Sequence, residues 1–186
     1  MRLNGDWKLH VKNTGVTCYT CHRGNNVPQN IWFDVPEPAE VGMLGNKAGQ
    51  NSPSAVAGLS SLPETSLRPF LGGDDNVRVQ STEAIESDNR ASIKQTEWTY
   101  SFMMHISSSL GVNCTYCHNT RSMGAWGASP PQRAQAWYGI RMVRELNRDY
   151  LEPLASDLPA NRHGPTGDGP KVNCATCHAG AYKPLL

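Results

Sequence analysis

The sequence predicts a mainly α-helical chain with extensive irregular loop, assembled from repeated helix–turn–Cys-x-x-Cys-His units. Three observations lead there. All six cysteines lie in such strings: Cys18-Tyr-Thr-Cys21-His22, Cys114-Thr-Tyr-Cys117-His118 and Cys174-Ala-Thr-Cys177-His178. Helical apolar spacing recurs ahead of the second and third strings. The remainder is crowded with turn formers, 17 Gly and 13 Pro in 186 residues, and only 38% of the chain is hydrophobic.

Taken in order, residues 1–22 read as the end of a helix, a turn at Asn13-Thr14-Gly15, then the first string. Residues 23–90 carry weak periodicity and read as loop, with a short extended piece allowed near 76–80. A loop of that length is uncommon unless it is functional or packs on a cofactor. Residues 91–110 read as a helix that Gly111 stops. Residues 131–150 read as a stronger helix, with Ala134, Trp137, Ile140, Val143 and Leu146 near helical spacing and Pro153 and Pro159 beyond it. A Gly/Pro loop at 164–170 leads to the third string. The echo Thr-Gly-Val-Thr-Cys18, Leu-Gly-Val-Asn-Cys114, Lys-Val-Asn-Cys174 marks a repeat. We therefore expect one domain over 1–186 in three segments, 1–90, 91–130 and 131–186.

The cysteine spacing has a chemical reason. Two thiols three residues apart can form thioethers to the two vinyl groups on one porphyrin edge, and the following His falls beneath the iron. Three such strings with no cysteine left over predict three covalently attached c-type haems. Cys18, Cys21, Cys114, Cys117, Cys174 and Cys177 would hold them, with His22, His118 and His178 as proximal ligands. Zinc needs four ligands per site, strands one cysteine pair and leaves each His unexplained. A thioredoxin-like pair needs a βαβ setting, and disulfides within such close pairs would be strained. Large rigid porphyrins would also supply the interior that an apolar-poor chain lacks.

The sixth ligand sets the chemistry, since Met raises and a second His lowers the potential. For the haem at Cys114, Met103, Met104 and His105 all lie on the preceding helix, and spacing alone does not choose among them. For the haem at Cys174 the local candidate is Met142 and the remote one His10. For the haem at Cys18 only Met1 lies upstream.

A formal charge of +1 argues against nucleic-acid binding. Haem propionates would make the assembled protein acidic, a polarity suited to a basic soluble cytochrome. No run approaches the length of a bilayer-spanning helix, and Met1-Arg-Leu-Asn-Gly-Asp-Trp7 reads as the middle of a structured unit. A part of a longer, exported chain is expected.

Long strings around the motifs carry a resemblance. Asp6-Trp7, His10 and Thr14 through Gly24 resemble the second haem segment of the tetrahaem cytochrome subunit of purple bacterial photosynthetic reaction centres. Glu97-Trp98-Thr99, Met103-Met104 and Ser109 through Asn119 resemble its third segment. Gln132-Arg133-Ala134, Trp137, Gly139 through Arg144, Cys174 through His178 and Lys183-Pro184-Leu185 resemble its fourth. The resemblance implies Met103 as ligand to the Cys114 haem and His10 as distal ligand to the Cys174 haem, with Met142 as packing. It implies Arg133 beside the innermost haem, where a fixed positive charge would raise the potential. It further implies electron transfer rather than enzymatic turnover, re-reducing the photo-oxidised special pair. The partners would be the reaction-centre L and M subunits and a soluble donor, a small cytochrome c or a high-potential iron–sulfur protein. The location would be periplasmic, peripheral on the outer face of the photosynthetic inner membrane. The alternative is a periplasmic multihaem reductase with an open iron site.

Overall fold

Residues 2–36, 54–79 and 93–185 are described by a computed structural model. The helices are α1 (Arg2–Asp6), α2 (Lys8–Val11), α3 (Cys18–His22), α4 (Ile93–Leu110), α5 (Gln132–Glu145) and α6 (Cys174–His178). Among the described residues there is no sheet; two isolated bridges, Trp32 with Lys171 and Ser54 with Ser60, are the β pairing. Both long helices fall where apolar spacing places them. Gly111 ends α4 at a φ of +64°, which a residue with a side chain rarely adopts. The extended piece expected near 76–80 is irregular chain over 76–79, with Val77 buried, and residue 80 lies outside the described residues.

The loop expected over 23–90 is more ordered than its composition suggests. Glu64–Ser66 forms a 3₁₀ turn and Arg68–Gly72 a π-helical turn. Pro69 stands at the turn's first residues, where a missing N–H costs nothing, and Phe70 and Leu71 plug into the core. Residues 37–53 and 80–90 of that expected loop lie outside the described residues.

The core lies where α4, α5 and this π-turn meet. Phe102 is fully buried and stacks on Phe70 at 5.1 Å and on His105 at 6.4 Å. Ile106, Ile140, Met142 and Val143 close around it. Burying each such side chain contributes about 1.5–3 kcal/mol. A buried polar residue then ties the core to the third string. Helix α5 passes into a π-helical turn, Leu146–Leu151, which swings Asn147 inward. Its amide donates to Leu71 O (3.0 Å) and Val172 O (2.9 Å) and accepts from Val172 N (2.8 Å). All three bonds satisfy buried groups, and two of them fix the backbone just before Cys174.

Candidate functional site

The three Cys-x-x-Cys-His strings, units one to three in chain order, do not fold alike. In units one and three the residue before the second cysteine is Thr. Its hydroxyl reaches back to the amide preceding the unit: Thr17 N to Thr20 Oγ1 and Asn173 N to Thr176 Oγ1, both 3.0 Å. This is half of a capping box, and it satisfies an amide that the helix start leaves open. Both units become one α-helical turn, and both end on a left-handed residue, Arg23 (φ 48°) and Ala179 (φ 46°). Unit two has the order reversed, Thr115-Tyr116. There Asn113 accepts from Thr115 N at 3.2 Å, and the chain winds as a 3₁₀ turn, Cys114–Tyr116.

Units one and three are also packed together. Helices α3 and α6 are in contact, with Thr20 and Thr176 fully buried and Cys21 Sγ 2.7 Å from Cys177 Sγ. Arg23 Nη2 donates to Cys177 O at 3.0 Å, and Thr176 Oγ1 donates to Asn30 O at 3.0 Å. The segment after unit one is clamped to the segment before unit three. Trp32 and Lys171 exchange backbone hydrogen bonds of 2.9 and 3.0 Å, and Trp32 Nε1 donates to Val172 O at 2.9 Å. The Lys171 side chain is 1% exposed; its ammonium pairs with Asp34 (3.2 Å) and Asp168 and stands over the Trp32 ring. Burial pushes the Asp168 carboxyl up, but hydrogen bonds from Lys171, Thr166 and the Asp34 amide outweigh it and hold the group below the usual range.

The histidines divide by which ring nitrogen the protein uses. Nδ1 of His22, His118 and His178 meets the carbonyls of Asn25 (3.1 Å), Met123 (3.0 Å) and Ala181 (2.9 Å). His10 does the same with Gln135 O at 2.9 Å. A carbonyl can only accept, so each Nδ1–H donates and Nε2 is the nitrogen turned to a metal, the orientation in which imidazole ligands are held. His163 and His105 are turned the other way: their Nε2 atoms meet Ala155 O (2.9 Å) and Ser109 Oγ (3.4 Å). Burial also pushes His105 down to about 4. It is a neutral core residue stacked on Phe102.

His10, 168 positions away in the chain, lies opposite His178, their ring centres 6.1 Å apart. Two imidazoles sharing one metal at bonds of about 2 Å have centres roughly 6 Å apart. Burial, first of all, holds both rings neutral; for His178 the proximity of His10 acts the same way. Gln135 fixes His10 twice, since its side-chain amide donates to His10 O at 3.0 Å. Gly139 makes the room, because a β-carbon there would sit 2.5 Å from His10 Cε1. Met142, the local candidate, is instead buried in the core beside Ile140 and Val143.

Unit two faces a cavity of about 470 Å³ between α4, α5 and residues 76–79, within the range of ligand sites, roughly 300–1,000 Å³. Cys114, Cys117 and His118 line one side; Met103, Met104 and Tyr100 of α4 line another. Arg133 lines it too. Its guanidinium is held by Ser129 Oγ (2.7 Å) and Ala125 O (3.1 Å) and lies 4.4 Å from the Trp126 ring centre.

These residues fit a covalently held haem. Each unit offers two thiols and one free imidazole nitrogen in sequence, whereas no three His, Cys, Asp or Glu side chains among the described residues gather as a zinc site requires. Buried N–H groups of Trp7 and Arg23 have no acceptor among the described residues, which an anionic cofactor could satisfy. Sequence reading singled out neither Arg23 nor Lys171; both resemble ordinary surface cations, and only the burial of the Lys171 side chain and of Arg23 Nε marks them. Met1, the candidate upstream of Cys18, lies outside the described residues.

The model of the photosynthetic reaction centre cytochrome C subunit family matches residues 1–186. The chain is 55% identical over 186 residues to the photosynthetic reaction center cytochrome c subunit of Rubrivivax gelatinosus, covering 99% of this chain and 51% of that protein. It is 50% identical over 182 residues to the subunit of the same name from Thermochromatium tepidum, covering 98% and 45%. With that of Roseobacter denitrificans it shares 41% over 192 residues, covering 98% and 52%. The chain thus spans about half the length of these relatives.

Proposed function

The chain belongs to the photosynthetic reaction centre cytochrome c subunit family, and from that premise we propose that it passes single electrons through three covalently bound haems c to the photo-oxidised special pair of a reaction centre. The observation that carries this reading is the common setting of four histidines, each with Nδ1–H on a carbonyl and Nε2 free. Three of them follow paired cysteines and the fourth faces one of those three. Bound haem supplies a one-electron Fe(III)/Fe(II) couple, and no substrate bond is made or broken, so the chain is a carrier rather than an enzyme.

The protein's part is to hold, orient and tune. Cys18 with Cys21, Cys114 with Cys117, and Cys174 with Cys177 anchor the three groups; His22, His118 and His178 are proximal ligands. His10 is the distal ligand of unit three, and two imidazoles favour a low potential. Met103 is the distal ligand of unit two. The cavity is lined along α4 by Thr96, Thr99, Tyr100, Met103, Met104, Ile106 and Ser107. At about 100° per residue, Met103 lies roughly 20° from the middle of that stripe and Met104 roughly 80° from it. A thioether ligand raises the potential, and the Arg133 charge on the same cavity acts in the same direction by disfavouring the ferric state.

The proposed setting is the periplasmic face of the photosynthetic membrane, peripheral on the L and M subunits, with a small cytochrome c or a high-potential iron–sulfur protein as donor. Among the described residues no helix is long and apolar enough to cross a membrane. Intact-mass measurement of the mature chain tests the cofactor count: three haem increments are expected, and fewer would overturn it. Flash-induced oxidation in membranes carrying the reaction centre tests the partner. A visible spectrum that is low-spin throughout is expected of a carrier, whereas an added high-spin component would favour a reductase with an open iron.

A further inference from the structure

Arg23 has no role in anchoring or ligation, yet it is held with unusual care. The left-handed backbone at its position ends α3 and lets the guanidinium cross to α6, where Nη2 donates to Cys177 O at 3.0 Å. Its Nε is buried and meets no acceptor among the described residues. Among the described residues no carboxylate forms an ion pair with it. Arginine stays charged at every accessible pH. A fixed cation with an unsatisfied N–H therefore sits at the seam between units one and three. Such a group calls for an anionic acceptor, and a haem carries two carboxylates.

We propose that Arg23 is a shared positioning and potential-setting residue for the haems of units one and three. Through Nη2 it keeps α3 and α6 in register, and through Nε–H it donates to a haem carboxylate. Its charge sits on the seam where α3 and α6 meet, so it disfavours Fe(III) relative to Fe(II) and raises both midpoint potentials. Each iron takes up one electron, with no bond or proton exchanged. The inference rests on the reading that both units carry haem.

The test is an optical redox titration of the full mature chain and of the variants R23Q and R23K, with haems counted by intact mass. In R23Q the potentials of units one and three fall together while that of unit two moves least. In R23K both stay near the parent values at neutral pH. This second readout stands even where R23Q does not mature, since the lysine keeps the charge. Unmoved potentials in R23Q with three haems present would overturn the role of Arg23, as would equal shifts in R23Q and R23K or potentials in R23K far from the parent values. A mature parent chain with fewer than three haems would instead overturn the underlying reading.

Discussion

Units one and three make a pair, whereas unit two stands apart, and the difference begins at one position in each string. Where that position is Thr, the hydroxyl caps its own helical turn and is buried against the opposite unit. Where it is Tyr116, the turn tightens to 3₁₀ form, and the tyrosine ring lies tilted 5.8 Å from Tyr182. The pair is held by backbone, by a buried ion cluster and by facing imidazoles. Unit two instead looks into an apolar cavity with sulfur on one helix and a guanidinium on another. The same chemical motif thus receives opposite surroundings, a second imidazole facing it in one case and a cavity lined by thioethers and a cation in the other. The teaching is that the motif fixes attachment, while the neighbours fix the electron affinity.

The comparison breaks most visibly at His10. We expect His10→Ala to convert the haem of unit three wholly from low-spin six-coordinate to high-spin, read by absorption and electron paramagnetic resonance, with unit two unaltered. Gly139→Ala should mimic it by driving the ring aside, whereas Met142→Ala should cost about 2–5 kcal/mol of stability and leave the haem spectra unchanged. Next in size is the clamp that supports the pair. Lys171→Ala leaves Asp168 partly buried without its cation and Asp34 with only the exposed Arg68 at 3.5 Å, and should lower unfolding free energy by about 3 kcal/mol in denaturant titration.

The acid response of that clamp has a definite sign. The Asp168 carboxyl is held below its unfolded value, so its stabilisation is present above the unfolded value of about 3.9 and fades as pH falls below it. Melting temperature should drop with acid below about pH 4 in the parent. In Asp168→Asn it should already be lower at neutral pH and fall less steeply. Smaller still are the caps. Thr20→Val and Thr176→Val should each cost about 1 kcal/mol, and Thr115→Val in unit two only a few tenths, because its hydroxyl is exposed and caps no α-turn. Equal losses in all three units would remove the distinction drawn above.

How much of this was legible beforehand follows from how local each feature is. The proposed attachment residues declare themselves because two vinyl groups and an iron would demand fixed spacing over five positions. Helices α4 and α5 show their apolar period, and Gly111 its stop. The facing of His10 and His178 depends on α2 packing on α5, a contact across most of the chain, so residues alone left Met142 open and only family resemblance preferred His10. The π-turn at Arg68–Gly72 was hidden because Pro69 and Gly72-Gly73 carry the composition of loop, while the burial of Phe70 and Leu71 is a tertiary fact. Lys171 looks like a solvent-facing cation until the fold closes over it, and so does half-buried Arg23 until its Nε is enclosed.

One seam links the lone unit to the pair. Gly180 N donates to Ser109 O at 2.8 Å, and a β-carbon on Gly111 would collide with the Gly180 carbonyl. Peptide planes touch there with nothing between them. Side-chain rotamers hop readily and would let a gap breathe, but main chain pressed on main chain is a rigid shim. Under the proposed function, an electron crossing that joint would meet a barrier whose width is written into the backbone, insensitive to the thermal flicker of side chains around it.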